Sequence, residues 1–350
     1  MKKITALLLA LFMLVGALAG CGKQNDTNQT DKLSIVTTIF PEYDWVREIL
    51  GDKADNAEIT MLLDNGVDLH SYQPTADDIV KISDCDLFIY VGGESDGWVE
   101  DALRNAANRN MKVINLLEVL GDSVKTEEIV EGMQEEEHEH EDAHAHDDAE
   151  EHEHEDAEEH EHEDAEEHEH EEEADEHVWL SLKNAKMLVR VISKALQELD
   201  PDNKDIYAAN ADAYVKKLSA LDAEYQAAVD AASNKTILFG DRFPFRYLVD
   251  DYGLRYYAAF VGCSAETEAS FETISFLAKR VDEWKLPCVL TIEGAQHKIA
   301  ETIVQNTTTK NQKVLTMDSM QSTTTQDVKN GTTYLSVMEK NLSVLKEALR

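Results

Sequence analysis

The chain has 350 residues, 43% of them hydrophobic, and its 71 acidic side chains against 32 Lys and Arg give a net charge of −39. That balance excludes nucleic acid as a partner, because counterion release on phosphate needs clustered Lys and Arg. The acidity is local: residues 135–176 hold 26 of the acids and no Lys or Arg, which leaves 45 acids against 32 bases, or −13, elsewhere, so the bias concerns cations.

In chain order, Met1-Lys2-Lys3 leads into an uncharged run from Ile4 to Leu18 and then Leu18-Ala19-Gly20-Cys21. A basic start, an apolar stretch too short to span a bilayer and a small-residue cleavage site predict an export signal over residues 1–20. Leu-Ala-Gly-Cys is similar to the lipobox of bacterial lipoproteins, which implies lipid on the sulfur of Cys21 and a membrane-anchored, extracytoplasmic protein at the outer face of the plasma membrane. Residues 21–31 are polar and aperiodic, a flexible tether. The remainder of the chain is long enough for two substantial cores, and no further segment approaches the roughly 18 apolar residues of a spanning helix.

The first lobe, 32–200, alternates strands (Leu33 to Phe40, Ala57 to Leu63, Asp86 to Val91, Lys112 to Leu117) with helices (Tyr43 to Leu50, Thr75 to Ser83, Trp98 to Asn108). Within it, 135–173 is a low-complexity insert with repeats of His-Glu-His-Glu-Asp-Ala-Glu-Glu from His152 and His160. Such a segment cannot bury a core, and its charges repel, which predicts a disordered loop. A helix from Leu182 to Leu199 stops at Asp200-Pro201, and residues 201–233 hold a long linker helix from about Asp202 to Ala232, with Ile206, Tyr207, Tyr214, Leu218, Leu221 and Tyr225 near helical spacing. The second lobe, 234–350, repeats the plan, with strands Thr236 to Phe239, Arg255 to Val261, Cys288 to Ile292 and Lys313 to Met317, and helices Phe245 to Asp251, Phe271 to Trp284, Lys298 to Asn306 and Tyr334 to Leu349. The predicted fold is α/β: two doubly wound parallel-sheet lobes joined by a rigid linker helix.

In open parallel sheets ligands bind at the carboxyl ends of the strands. Asp241, Glu293 and Asp318 fall there, His70 lies in the loop after the second strand, and His177 comes directly after the insert; His297 is expected on a helix surface. Imidazole nitrogen and carboxylate oxygen suit a four-coordinate zinc. Of the cysteines, Cys85 fits a buried apolar position, and an oxidising location allows a Cys263 to Cys288 disulfide.

Gly66-Val67-Asp68-Leu69-His70-Ser71-Tyr72-Gln73-Pro74, with Asp77 or Asp78 after it, closely resembles the first metal-ligand loop of the cluster A-I (family 9) zinc and manganese solute-binding proteins of ABC importers. Asp175-Glu176-His177-Val178-Trp179-Leu180 resembles the family's second ligand motif, Asp-Pro-His-x-Trp-Leu, with Glu176 in place of the proline. Asn184-Ala185 and Leu199-Asp200-Pro201 continue the match, and the His-rich insert lies where zinc-importing members carry one.

The resemblance implies that His70 and His177 are the first two ligands and that Asp318, in Met317-Asp318-Ser319-Met320, is the late acidic one. The third is open. Where the family places His or Glu, this chain reads Phe239-Gly240-Asp241-Arg242-Phe243-Pro244-Phe245-Arg246-Tyr247. Arg242 carries no lone pair for a cation, so Asp241 is the donor there, unless it pairs with Arg242 or Arg246 to close a loop. Glu293 is then a reserve ligand, or it orients a ligating imidazole.

The implied function is high-affinity Zn²⁺ capture by a monomer and delivery to an ABC permease driven by a separate ATPase subunit; the chain has no Gly-x-x-x-x-Gly-Lys motif of its own. Mn²⁺ is the alternative cargo, and a surface adhesin or a passive zinc buffer are further readings. An enzyme is not expected, since neither His-Glu-x-x-His nor a paired-metal carboxylate cluster occurs. His138, His140, His144, His146, His152, His154, His160, His162, His168 and His170 form an expected low-affinity collector in the insert.

Overall fold

The structure, a computed structural model, describes residues 32–134, 173–264, 268–294 and 297–350. The export signal, the tether, Cys21 and the ten insert histidines lie outside the described residues.

The first lobe comprises β1 (Leu33–Thr37), α1 (Phe40–Leu50), β2 (Ala57–Met61), α2 (Ala76–Asp84), β3 (Leu87–Tyr90), α3 (Val99–Arg104), β4 (Lys112–Asn115) and α4 (Leu116–Leu120). Two helices come next, α5 (Leu182–Leu199) and α6 (Lys204–Ala231). The second lobe comprises β5 (Thr236–Phe243), α7 (Arg246–Tyr252), β6 (Arg255–Val261), α8 (Phe271–Trp284), β7 (Cys288–Thr291), α9 (Lys298–Asn306), β8 (Lys313–Thr316), α10 (Thr325–Lys329) and α11 (Tyr334–Ala348). The sheet orders are β2-β1-β3-β4 and β6-β5-β7-β8, and every strand pair is parallel. Each is a doubly wound sheet whose chain direction switches beside its first strand, which leaves a crevice at the carboxyl ends. The α/β architecture expected from the alternating pattern is the one observed.

Local chemistry moves several boundaries. The first strand was expected to reach Phe40, but Pro41 sits in the first turn of α1 and Glu42 accepts the Thr38 and Ile39 amides (2.8 and 3.3 Å), starting the helix early. The strand expected to run to Leu117 ends at Asn115, whose side chain accepts the Glu118 amide (3.1 Å) and caps α4. Helix α3 stops at Arg104 rather than Asn108 because the Ala107 and Asn108 amides turn back to Ser83.

Helix α6 packs on α5, α1 and α11. Its buried stripe is Tyr207, Tyr214, Leu218, Leu221, Tyr225 and Val229; Ile206, expected in that stripe, is one position off it and 41% exposed. A single apolar core runs from the first sheet through α5 and α6 into the second lobe, and a smaller cluster lies under α8 and α9. Residues 33–350 accordingly form one unit. The segment before the insert crosses to the second lobe, where the Gln134 amide donates to the Ala259 carbonyl (2.9 Å) and Arg280 pairs with Glu131 (2.9 Å). No helix among the described residues is long and apolar enough to cross a membrane.

Candidate metal centre

Each of the two motif histidines is presented by a device in its own segment. In the loop after β2, the Asp68 carboxylate caps the short turn Leu69–Ser71 and accepts the His70 amide at 3.1 Å. Asp175 Oδ1 accepts both the His177 amide (2.8 Å) and its Nδ1–H (3.0 Å). The next turn, Val178–Leu180, is wholly buried, and Trp179 Nε1 donates to the Ser319 carbonyl (2.8 Å), pinning this motif against the second lobe.

The rings meet with Nε2 to Nε2 at 3.2 Å, His177 fully buried and His70 partly so. His70 Nδ1 donates to Ser95 Oγ at 2.8 Å, with Glu176 Oε2 3.4 Å away. Anchoring each ring through Nδ1 turns the two Nε2 atoms toward each other, the kind of orientation that outer partners give metal-ligating imidazoles. Two nitrogens at about 2.0–2.1 Å from one tetrahedral zinc are about 3.3 Å apart. The observed 3.2 Å separation matches that spacing.

Burial, and then the charge on His177, push the pKa of His70 down to about 3. Burial also opposes charge on His177, yet Asp175, with Glu176 and Glu127 beyond it, outweighs that penalty and holds His177 above its ordinary value. The acids around His177 thus favour its charged form, and the same acids would favour a divalent cation held there. With its amide turned to satisfy both ends, Gln321 donates to Asp68 (3.0 Å) and accepts from His177 Nε2 (2.9 Å).

The acidic candidates of the second lobe are not drawn into this group. Strand β5 runs past its expected end, and its register slips between Phe239 and Arg242. A bulge of this kind re-aims side chains. Asp241 consequently turns to backbone, accepting the amides of Arg242 (2.9 Å) and Ile292 (3.3 Å). Arg242 itself reaches across to Asp68 (2.7 Å) and holds that carboxyl below its usual range against the opposing effect of burial. Asp318 accepts the Met320 amide (2.8 Å), and burial and then Glu293 raise its pKa to about 6. Glu293 accepts the Ser319 amide (2.6 Å), the Ser319 hydroxyl (2.7 Å) and the Gln321 amide (3.1 Å), so it holds the loop after β8. His297 stands, half-buried, at the head of α9.

Among the described residues, the side chains within metal-binding reach of one another are His70, His177 and Cys263, whose ligating atoms all lie within 4.8 Å. The disulfide allowed between Cys263 and Cys288 is not formed, and both are free thiols. The reason is topological: Cys263 lies just past the carboxyl end of β6, whereas Cys288 opens β7, at the amino end of the same parallel sheet. The place of Cys263 just past a strand end is the one signal by which sequence alone points to it.

Several known proteins are similar to this chain. A zinc-binding lipoprotein AdcA of Streptococcus pneumoniae (strain TIGR4) is 32% identical over 350 residues, and the match spans 99% of this chain but only 61% of that protein's length. The high-affinity zinc uptake system protein ZnuA of Bacillus subtilis is 30% identical, with 97% of this chain and 95% of that one covered. Among solved structures, the Zn(II)-bound ZnuA-like domain of S. pneumoniae AdcA superposes with a TM-score of 0.65 at 28% identity, over 91% of this chain and 99% of that domain. The lipoprotein YcdH of B. subtilis gives 0.67 at 25% identity, over 91% and 99%. The family model for the zinc-uptake complex component A, periplasmic (ZnuA), matches residues 35–348, and the chain belongs to that family.

Proposed function

We propose that this protein captures Zn²⁺ between its two lobes outside the plasma membrane and hands it to a membrane permease powered by a separate ATPase subunit. The observation that carries the reading is the His70–His177 pair: two imidazoles anchored through Nδ1, with Nε2 atoms 3.2 Å apart at the carboxyl ends of the strands. The names of the AdcA and ZnuA relatives support zinc as cargo, and imidazole is a better ligand for zinc than for manganese. The export signal and Cys21 support a lipid anchor at the outer face of the membrane. The chain acts as a binding protein and not as an enzyme, with the insert histidines collecting zinc weakly near the principal site.

The test is titration of the mature protein with zinc against a competing chelator. His70→Ala and His177→Ala should each weaken the tight site by more than the roughly 10–100-fold that loss of an outer-shell partner costs. Unchanged affinity in either variant overturns the assignment. Protein lacking residues 135–173 should keep one tight site, whereas a passive buffer would lose it. Intact protein should bind additional zinc weakly at neutral pH and lose it in mild acid, since free imidazole protonates near pH 6.5.

A further inference from the structure

We propose that Cys263 supplies the third metal-binding atom, so that the site captures its cation with a thiolate from the second lobe and two imidazoles from the first. The inference rests on the zinc-capture reading and deepens it. The position of the sulfur carries it. The Cys263 sulfur and one ring nitrogen from each of His70 and His177 lie within 4.8 Å of one another, and among the described residues none of Asp241, Glu293 and Asp318 joins that group.

The surroundings hold that sulfur in place. The Cys263 amide donates to Glu127 Oε1 (2.9 Å), which ties the residue to the segment leading into the insert. Gly262 lets the end of β6 lie against the imidazole, for a Cβ there would stand 3.0 Å from His177 Cε1. On the neighbouring strand, Arg242 spans to Asp68 and Asp241 is committed to two backbone amides, so β5 offers no free carboxylate toward the histidines.

The chemistry suits a zinc-class ion. Zinc takes thiolate sulfur at about 2.3 Å and imidazole nitrogen at about 2.0–2.1 Å, which places S and N about 3.5 Å apart on a tetrahedron. Groups now within 4.8 Å close on the ion with a movement of roughly 1 Å. On binding, the S–H bond breaks, a metal–sulfur bond forms, and the thiol proton leaves to solvent. A soft donor also favours Zn²⁺ and Cd²⁺ over Mn²⁺, which prefers oxygen.

The experiment uses Co²⁺ and Zn²⁺ on the full mature chain, on Cys263→Ser and on His70→Ala. Wild type loaded with one Co²⁺ should show a sulfur-to-cobalt charge-transfer band, and X-ray absorption of the zinc form should find one sulfur near 2.3 Å. Cys263→Ser should lose the band and the sulfur shell, keep the visible ligand-field bands of a weakened histidine site, and lose most of its Cd²⁺-over-Mn²⁺ preference. Absence of the band in metal-loaded wild type overturns the proposal, as does wild-type affinity and selectivity in a folded Cys263→Ser. Retained tight binding in His70→Ala would instead overturn the underlying site, so the two failures are distinguishable. Should Cys263→Ser fail to fold, the absorption and charge-transfer measurements on wild type decide the question alone.

Discussion

Among the described residues, buried carboxylates organise backbone. Glu42 accepts from Thr38 and Ile39, Asp44 from the Tyr334 amide (3.0 Å), and Asp96 from the Gly92 amide (2.9 Å). These bonds do not offset the loss of water: desolvation raises Asp44 and Asp96 to about 7 and Glu42 well above its usual range. A carboxyl whose folded pKa is raised binds its proton more tightly when folded. For Asp44 and Asp96 it therefore adds stability at low pH that is lost as pH rises from about 4 through about 7, a loss on the order of 4 kcal/mol each. Urea unfolding of the metal-free protein should accordingly show lower stability at pH 8 than at pH 5. Asp44→Asn keeps the acceptor for Tyr334, so it should raise stability at pH 8 and change little at pH 5. A variant no more stable than wild type at pH 8 contradicts the assignment.

At the scale of elements, the loops at the carboxyl ends of the second sheet are preset. Glu293 gathers three donors of the Ser319–Gln321 turn, Asn341 brackets Asp318 from α11 (2.8 Å to its amide and from its carbonyl), and Met320 takes a positive φ of 64° to close the bend. The same turn receives Trp179 and places Gln321 beside His177. Glu293→Gln swaps an acceptor for a donor facing donors. Chemical denaturation should show a loss of about 1–3 kcal/mol, from hydrogen bonds left unmade, with a smaller effect on zinc than that of His70→Ala. The reverse pattern, intact stability with abolished binding, would make Glu293 a ligand.

For the molecule as a whole, the shared core decides how the lobes behave. The core that includes α5, α6 and α11 takes in apolar residues of both sheets, and Tyr334 donates to the Trp179 carbonyl (2.6 Å), so opening one lobe exposes apolar surface that the other also uses. Thermal unfolding of the described unit should be one cooperative transition, seen together by far-ultraviolet circular dichroism and tryptophan fluorescence. Free zinc at 100 times Kd should add about 2.7 kcal/mol, because the site exists in the folded state alone. Two separated transitions, or a midpoint indifferent to zinc, would contradict this picture.

The periodicities of this chain were enough to read its α/β class and the order of its main elements. Strand and helix alternation comes from local patterning, the Tyr207 to Tyr225 stripe from helical spacing, and the two histidines from short motifs whose acids, Asp68 and Asp175, lie within two residues and set the geometry directly. What the tertiary structure alone decided is which second-lobe side chain faces them. A slip in the register of β5 rotated Asp241 onto backbone and sent Arg242 to Asp68, and the parallel run of β6, β5 and β7 put Cys263 and Cys288 at opposite ends of the sheet. Register and strand order depend on contacts made between segments far apart in the chain, so no local pattern reports them.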